Sequence, residues 1–172
     1  MFMSPLSPIY TQTITLFNRL PSKNGEPMMW IPTVIDGVHL IVNRSSNWNS
    51  HGGKTADDVK LHIPYTWQGD DAMVSCRDGT DETATVQKKW FKPIAWRKEL
   101  EPENGITFAF GDNDDFDFFI EGVFDEFQSP ISDRNFERKG FYGYMKKNYD
   151  DVFAITSYQK FSLIPHFELT AR

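Results

Sequence analysis

The chain has 172 residues with a net charge of −6, 40% of them hydrophobic and 15% aromatic, and it carries a single cysteine. That length fits one domain able to bury roughly 70% of its extended-chain surface, so neither a disulfide nor a metal is needed to hold the core. The lone Cys76 excludes an internal disulfide, the N-terminal MFMSPLSPIY lacks the charged and apolar regions of a secretory signal, and no window approaches the roughly 18 apolar residues of a membrane span. The expectation is a protein made and folded in a cytoplasm, with no membrane partner.

The charge is unevenly placed. From Glu99 to Asp133 there are eleven Asp and Glu and no Lys or Arg, while the rest of the chain holds 13 acidic and 18 basic residues. An acidic segment is therefore set in a mildly basic body. It reads either as a solvated loop system or as a face that guides subunit stacking or repels a polyanion.

In chain order, Pro5 and Pro8 make residues 1–8 an extended arm. The alternation in YTQTITLFN, Tyr10 to Asn18, predicts the first strand. MMWIPTVI and VHLIVN flank Asp36-Gly37, the dipeptide favoured in a two-residue hairpin, and pairing Ile35 with Val38 would give both strands one apolar face. VKLHIPYTW alternates Val59, Leu61, Ile63, Tyr65 and Trp67 against Lys60, His62, Pro64 and Thr66. Residues 68–87 are weakly patterned and read as a long loop, an insertion or a hairpin tip. A short helix is expected near Pro93, where proline is tolerated in the first turn.

ITFAF and FDFFIEGVF predict two strands around GDNDD. One principal helix is expected over about 132–148, with Ser132 as N-cap, Asp133 in the first turn and Lys146 and Lys147 in the last. Gly140 and Gly143 each weaken it by about 1 kcal/mol relative to Ala, so packing by Phe136, Phe141, Tyr144, Met145 and Tyr149 must sustain it. DVFAITSYQKFSLIPHFELTAR reads as two final strands, the second with Phe161, Leu163, Pro165, Phe167 and Leu169 on one face. The sum is a mainly β, single-domain fold over 1–172: a β-barrel or sandwich of about eight strands with one principal helix and long loops.

GDNDDFDFFIEG, Gly111 to Gly122, carries five carboxylates and is the most chemical-looking stretch. Neither register starting at Asp112 or Asn113 supplies the glycine and terminal glutamate of an EF-hand loop. Asp117 and Glu121 offer only strand spacing as a carboxylate pair for glycoside hydrolysis. Asx and Gly at the tip suit a turn, and the alternation beyond it suits a half-buried strand, so the stretch reads as a hairpin. His39, His62 and His166 each sit in a strand on the face away from the apolar set, and His51 lies in a loop. Imidazoles in three strands can converge on a metal, yet no HxH or HxxxH pair demands it, and they read as exposed or interface residues. Cys76 reads as a passive thiol, although Arg77 beside it would favour a lowered pKa. GKT at Gly53 to Thr55 lacks the spacing of a phosphate loop. No catalytic, cofactor-binding or metal-binding residue is assigned. KKWFKPIAWRK, with Trp90, Phe91 and Trp96, suits either base stacking in single-stranded nucleic acid or a protein interface, and the net acidity favours the interface. The candidate interface residues are Trp90, Phe91, Trp96, Asp112, Asp114 and Asp115.

Several segments carry a resemblance. ITLFNR, HLIVNR, VKLHIPY, NDDFDFFIEG, PISD, GFYGYM and DVFAITSYQKFSLIPHFELT together resemble a family of small head–tail connection proteins of siphophages and prophages of Gram-positive bacteria, of minor capsid, head-closure or tail-completion type. The similarity reaches most of the chain and is weakest between Gln68 and Gln87. It implies a non-enzymatic virion protein at the head–tail interface, made in the bacterial cytoplasm and assembled as a six- or twelve-membered homo-oligomeric ring. Portal, adaptor or tail proteins would be its partners, and DNA would pass through the lumen without specific binding. The arm at 1–8 and the loop at 68–87 would suit strand exchange between neighbours. Within the class, a tail terminator or minor tail component is the alternative. From another class, the alternative is a monomeric barrel that binds a ligand, single-stranded nucleic acid or a divalent cation.

Overall fold

The computed structural model describes residues 9–43, 58–111 and 115–172. The expected arm at 1–8, the segment with His51 and Gly53 to Thr55, and the candidate residues Asp112 and Asp114 lie outside the described residues. The fold is mainly β, as the alternating patterns require. β1 (Gln12–Leu20), β2 (Met29–Asn43), β3 (Asp58–Pro64), β8 (Phe118–Glu121), β10 (Val152–Phe161) and β11 (His166–Ala171) form an antiparallel circuit in the order β1-β8-β10-β11-β3-β2, which the β1–β2 pairing closes. Closure into a barrel leaves these six strands no open edge. A second sheet of order β4-β5-β6-β7 comprises β4 (Thr66–Gln68), β5 (Asp71–Asp78), β6 (Asp81–Trp90) and β7 (Gly105–Ile106). The short β9 (Ile131–Ser132) extends the barrel sheet beside β2.

Asp36-Gly37 is not a hairpin turn. β2 runs unbroken through it, pairing its first part with β1 and its last part, His39 to Asn43, with β3. Gln12 faces Val38 and Thr13 faces Asp36, so Gly37 is the extra residue of a bulge, held at φ +71°. A left-handed residue serves a hairpin turn and a glycine bulge equally well, and here the bulge bends one long strand around the barrel corner. Arg77 of β5 clasps Asp36 at this bend, with Nε donating to Oδ2 at 2.6 Å and Nη2 to Oδ1 at 2.9 Å.

Residues 68–87 likewise form regular structure where a long loop was expected: they supply most of the β5–β6 hairpin. Its sequence hid this because β6 is largely exposed, so no apolar face marks it, whereas β5 buries Ala72, Val74 and Cys76. The 105–121 stretch is no ladder hairpin either. Gly105 and Ile106 pair with β6 in the second sheet, and Phe118 to Glu121 belong to the barrel. The two arms meet through Asp117, whose N–H donates to the Ala109 carbonyl at 2.9 Å.

The expected 132–148 helix is shorter. Ser132 Oγ accepts from Arg134 N–H at 3.2 Å and caps only a 3-10 turn, Asp133–Asn135. The α-helix α2 spans Gly140–Asn148, after a four-residue α1 at Pro93–Trp96 that matches the expected short helix. Asp133 acts at a distance: its Oδ1 accepts from the Phe141 N–H and from the Trp30 indole, each at 2.9 Å. Gly140 at φ +67° permits this, since a Cβ there would lie 2.7 Å from the Asp133 carboxyl carbon.

Two apolar cores result. The first joins barrel residues such as Leu16, Leu61, Phe119 and Leu169 to Val74, Cys76 and Phe108 of the second-sheet side. The second lies outside the barrel wall, where α2 covers Phe17, Trp30, Phe118 and Ile120 with Phe141 and Met145. Burying Phe141 alone stabilises the fold by roughly 3 kcal/mol.

If Gly37 marks a bulge that steers β2, Gly37→Ala lowers stability by about 1–2 kcal/mol, the cost of a Cβ in the left-handed region. Gly37→Asn, which tolerates that region better, loses less. Urea unfolding midpoints of the three proteins check the order.

Candidate functional site

The six candidate interface residues separate in space. Trp96 is fully buried, with its indole N–H donating to the Pro102 carbonyl at 3.0 Å, so it is a core anchor and not a surface one. The pattern misled because a four-residue helix tucks inward what the sequence shows as a basic aromatic run. Trp90 is half-buried against Phe167 and Tyr158, with ring centroids 5.1 and 5.6 Å away. Phe91 packs over Gly105, where a Cβ would lie 2.6 Å from its ring, and Lys89 Nζ sits 4.7 Å from its centroid. Asp115 is exposed, paired with Arg97 and lying 3.9 Å from Arg19. With Trp96 enclosed, the segment has lost one of the two tryptophan platforms on which base stacking rests.

The exposed apolar groups lie elsewhere. Leu163 and Leu100 are 97% and 98% exposed, and Ile94, Ile164 and Trp67 also face solvent. The turn at 162–165 joins β10 to β11, so the strand expected to run from Phe161 to Leu169 is broken there, and Leu163 and Ile164 point outward. Tyr65 pins it, its hydroxyl donating to the Phe161 carbonyl at 2.7 Å, and Lys160 Nζ lies 4.6 Å from the Trp67 ring centroid. Sequence alternation read Leu163 as a core residue; the turn places it on the surface instead.

Asp117 is buried, although its strand pattern placed it on a polar face. Its Oδ1 accepts from the Arg19 N–H at 2.9 Å, and its Oδ2 accepts from Asn18 Nδ2 at 2.9 Å and the Ala109 N–H at 2.8 Å. Asn18 Nδ2 also donates to the Thr107 carbonyl at 2.7 Å. Burial pushes the Asp117 pKa up to about 7, and the three N–H donors pull the other way. A raised carboxyl can mark catalysis. Here every donor belongs to the scaffold and the group has no access to solvent, so it is an architectural clamp between β1, β8 and residues 107–109. Cys76 is equally enclosed: burial raises its pKa to about 12, and Arg77 is engaged with Asp36. It is an inert thiol.

Three of the four histidines converge. β2–β3 pairing sets His39 opposite His62, and β3–β11 pairing sets His62 opposite Glu168, with His166 two residues earlier on the same outer face. The His62 ring lies 5.7 Å from His39 and 5.5 Å from His166. His62 Nε2 is 3.8 Å from Glu168 Oε2, and burial lowers the His62 pKa, with Glu168 opposing and His166, His39 and Lys60 adding to the fall. One nitrogen or carboxylate oxygen from each of His62, His166 and Glu168 lies within 4.8 Å of the others.

An open groove of about 1350 Å³ runs beside α2, lined by Phe127, Phe136, Tyr144 and Lys147 among others. Glu126 borders it and accepts from the hydroxyls of Tyr144 and Tyr149, at 2.5 and 2.6 Å. Among the described residues, no helix is long and apolar enough to cross a membrane.

Comparison with known families gives one result: residues 9–172 match the family of unknown function DUF6751. No curated protein and no solved structure matches the chain.

Asp117→Asn sets an amide N–H against a backbone or side-chain donor and lowers stability by about 1–3 kcal/mol. An ordinary Asp titrates near ~3.9. Between there and about 7 the unfolded chain has released this proton while the folded chain keeps it, so the wild type loses stability as pH rises through that window. The stability gap between wild type and Asp117→Asn therefore narrows from pH 5 to pH 7.5. Denaturant titrations at both pH values measure it.

Proposed function

The chain belongs to the DUF6751 family of unknown function, and we propose, from its own surface, that it is a non-enzymatic structural subunit of the head–tail connector of a tailed phage, of head-closure or tail-completion type, working in a ring. The observation that carries this reading is the outward display of apolar side chains from a closed barrel. Leu163, Ile164 and Trp67 gather near one end, Ile94 projects from α1, and Leu100 follows shortly after it. Exposed apolar groups rimmed by polar residues suit contacts with other polypeptides.

Charge supports the same reading. Glu99, Glu101, Glu103, Glu121 and Asp125 are exposed within the acidic segment, while Arg134, Arg138, Lys139, Lys146 and Lys147 are exposed around α2. An acidic patch and a basic patch at different places on one subunit suit a heterologous contact, which closes into a ring when the rotation allows. The second sheet adds a short edge strand, β4, exposed along its three residues and available for strand addition by a neighbour. In such a ring the acidic residues would form a collar past which DNA slides without sticking. Tail terminator and minor tail component remain the alternatives in this class.

Native mass spectrometry of the chain, alone and mixed with the portal and tail proteins of its own genome, tests the reading. Six- or twelve-fold species are expected. Leu100→Asp combined with Leu163→Asp should abolish them while changing the stability of the monomer by no more than about 0.5 kcal/mol, as suits exposed positions. A chain that stays monomeric in every mixture contradicts the proposal.

A further inference from the structure

We propose that His62, His166 and Glu168 form a binding site for a divalent transition metal of the zinc class on the outer wall of the barrel. Sequence spacing gave no sign of it, because the three residues are brought together by strand pairing: Glu168 faces His62 across β11–β3, and His166 lies one pleat along β11. Donor atoms from all three already lie within 4.8 Å of one another. Ligands of a tetrahedral zinc sit roughly 3.3–3.5 Å apart, given bonds near 2.0–2.1 Å. The His62 Nε2 to Glu168 Oε2 distance of 3.8 Å is close to that, and small side-chain rotations complete the approach.

The second ring is set for the task. His166 Nδ1 lies 2.7 Å from the Ile164 carbonyl, which can only accept, so Nδ1 carries the proton and Nε2 keeps a free lone pair. A backbone carbonyl on the far nitrogen is the usual orienting partner of a metal-bound imidazole. Phe161 stacks on the same ring at 4.8 Å between centroids and limits its rotation. Beside His62, His39 holds a buried Nδ1 that has no hydrogen-bond partner among the described residues, an unusual cost unless something else occupies that face.

The donor set selects the metal. Two imidazoles and one carboxylate suit zinc and its first-row neighbours, and are too few and too nitrogen-rich for calcium or magnesium. Three protein ligands leave a fourth position for water or for a group from a neighbouring polypeptide. Lys60 is the competitor, with Nζ 3.5 Å from Glu168 Oε1. Its charge opposes a cation held at the other oxygen, Oε2.

The site stands independently of the connector reading, because it concerns the monomer. Zinc titration by calorimetry on the untagged 172-residue chain at pH 7.5, with cobalt absorption as a second readout, tests it. One equivalent is expected to bind, with the visible bands of four- or five-coordinate cobalt. Glu168→Gln and His166→Ala should each weaken binding by at least about tenfold. Lys60→Met, which removes the competing ammonium, should strengthen it. Circular dichroism of each variant separates loss of the site from loss of the fold. Failure of the wild type to bind one equivalent, or equal affinity in folded Glu168→Gln and His166→Ala, overturns the proposal.

Discussion

A carboxyl group with no access to water ties the barrel to the segment that joins it to the second sheet. Asp117 stands where the barrel and the second sheet meet, and it accepts three N–H groups from two other parts of the chain. Its own backbone continues the link, donating to Ala109 and accepting from Ile155 at 3.0 Å. Thr107, next in the cluster, donates its hydroxyl to the Phe91 carbonyl at 2.7 Å and so reaches the segment leaving β6. Removing one member of such a buried network exposes several groups at once, and Asn18 Oδ1 already has no hydrogen-bond partner among the described residues. The relative placing of the two sheets is therefore fixed by this polar cluster together with the shared apolar core and the Arg77–Asp36 clasp.

The barrel is closed on itself, α2 lies over one outer wall and the β5–β6 hairpin is clasped at the β2 bulge. What the molecule offers outward is a set of exposed apolar side chains, exposed carboxylates within 99–126, and lysines and arginines around α2. A surface of this sort is suited to being gripped by neighbours. The wall left uncovered by α2, built from β2, β3 and β11, is where the imidazoles gather, so a metal there would brace adjacent strands or receive a ligand from the next polypeptide.

Much of the fold was legible in the residues. Alternation in Val59, Leu61 and Ile63 and in Phe167 and Leu169 gave the inward faces of β3 and β11, which are buried as read. Pro93 marked a helix start, and Lys146 and Lys147 close the last turn of α2. The errors share a cause: a local preference that two structures satisfy equally. Asp36-Gly37 wants a positive φ, which a bulge supplies as well as a turn. Ser132 wants to cap, and it caps a 3-10 turn, leaving the start of α2 to the distant Asp133. Trp96 sits among lysines in the sequence but turns inward in space. The two most chemical features were the least legible. Burial of Asp117 and convergence of the histidines both depend on which strands become neighbours, and that is fixed by non-local pairing that no spacing along the chain encodes.

The proposed connector role is tested most directly by reconstructing virions produced from a phage or prophage that carries this gene. The connector assignment predicts the barrel as a symmetric ring between the head portal and the tail tube, with Leu100 and Leu163 buried against neighbouring chains. Absence of the chain from purified particles, or its location away from the head–tail junction, would contradict it.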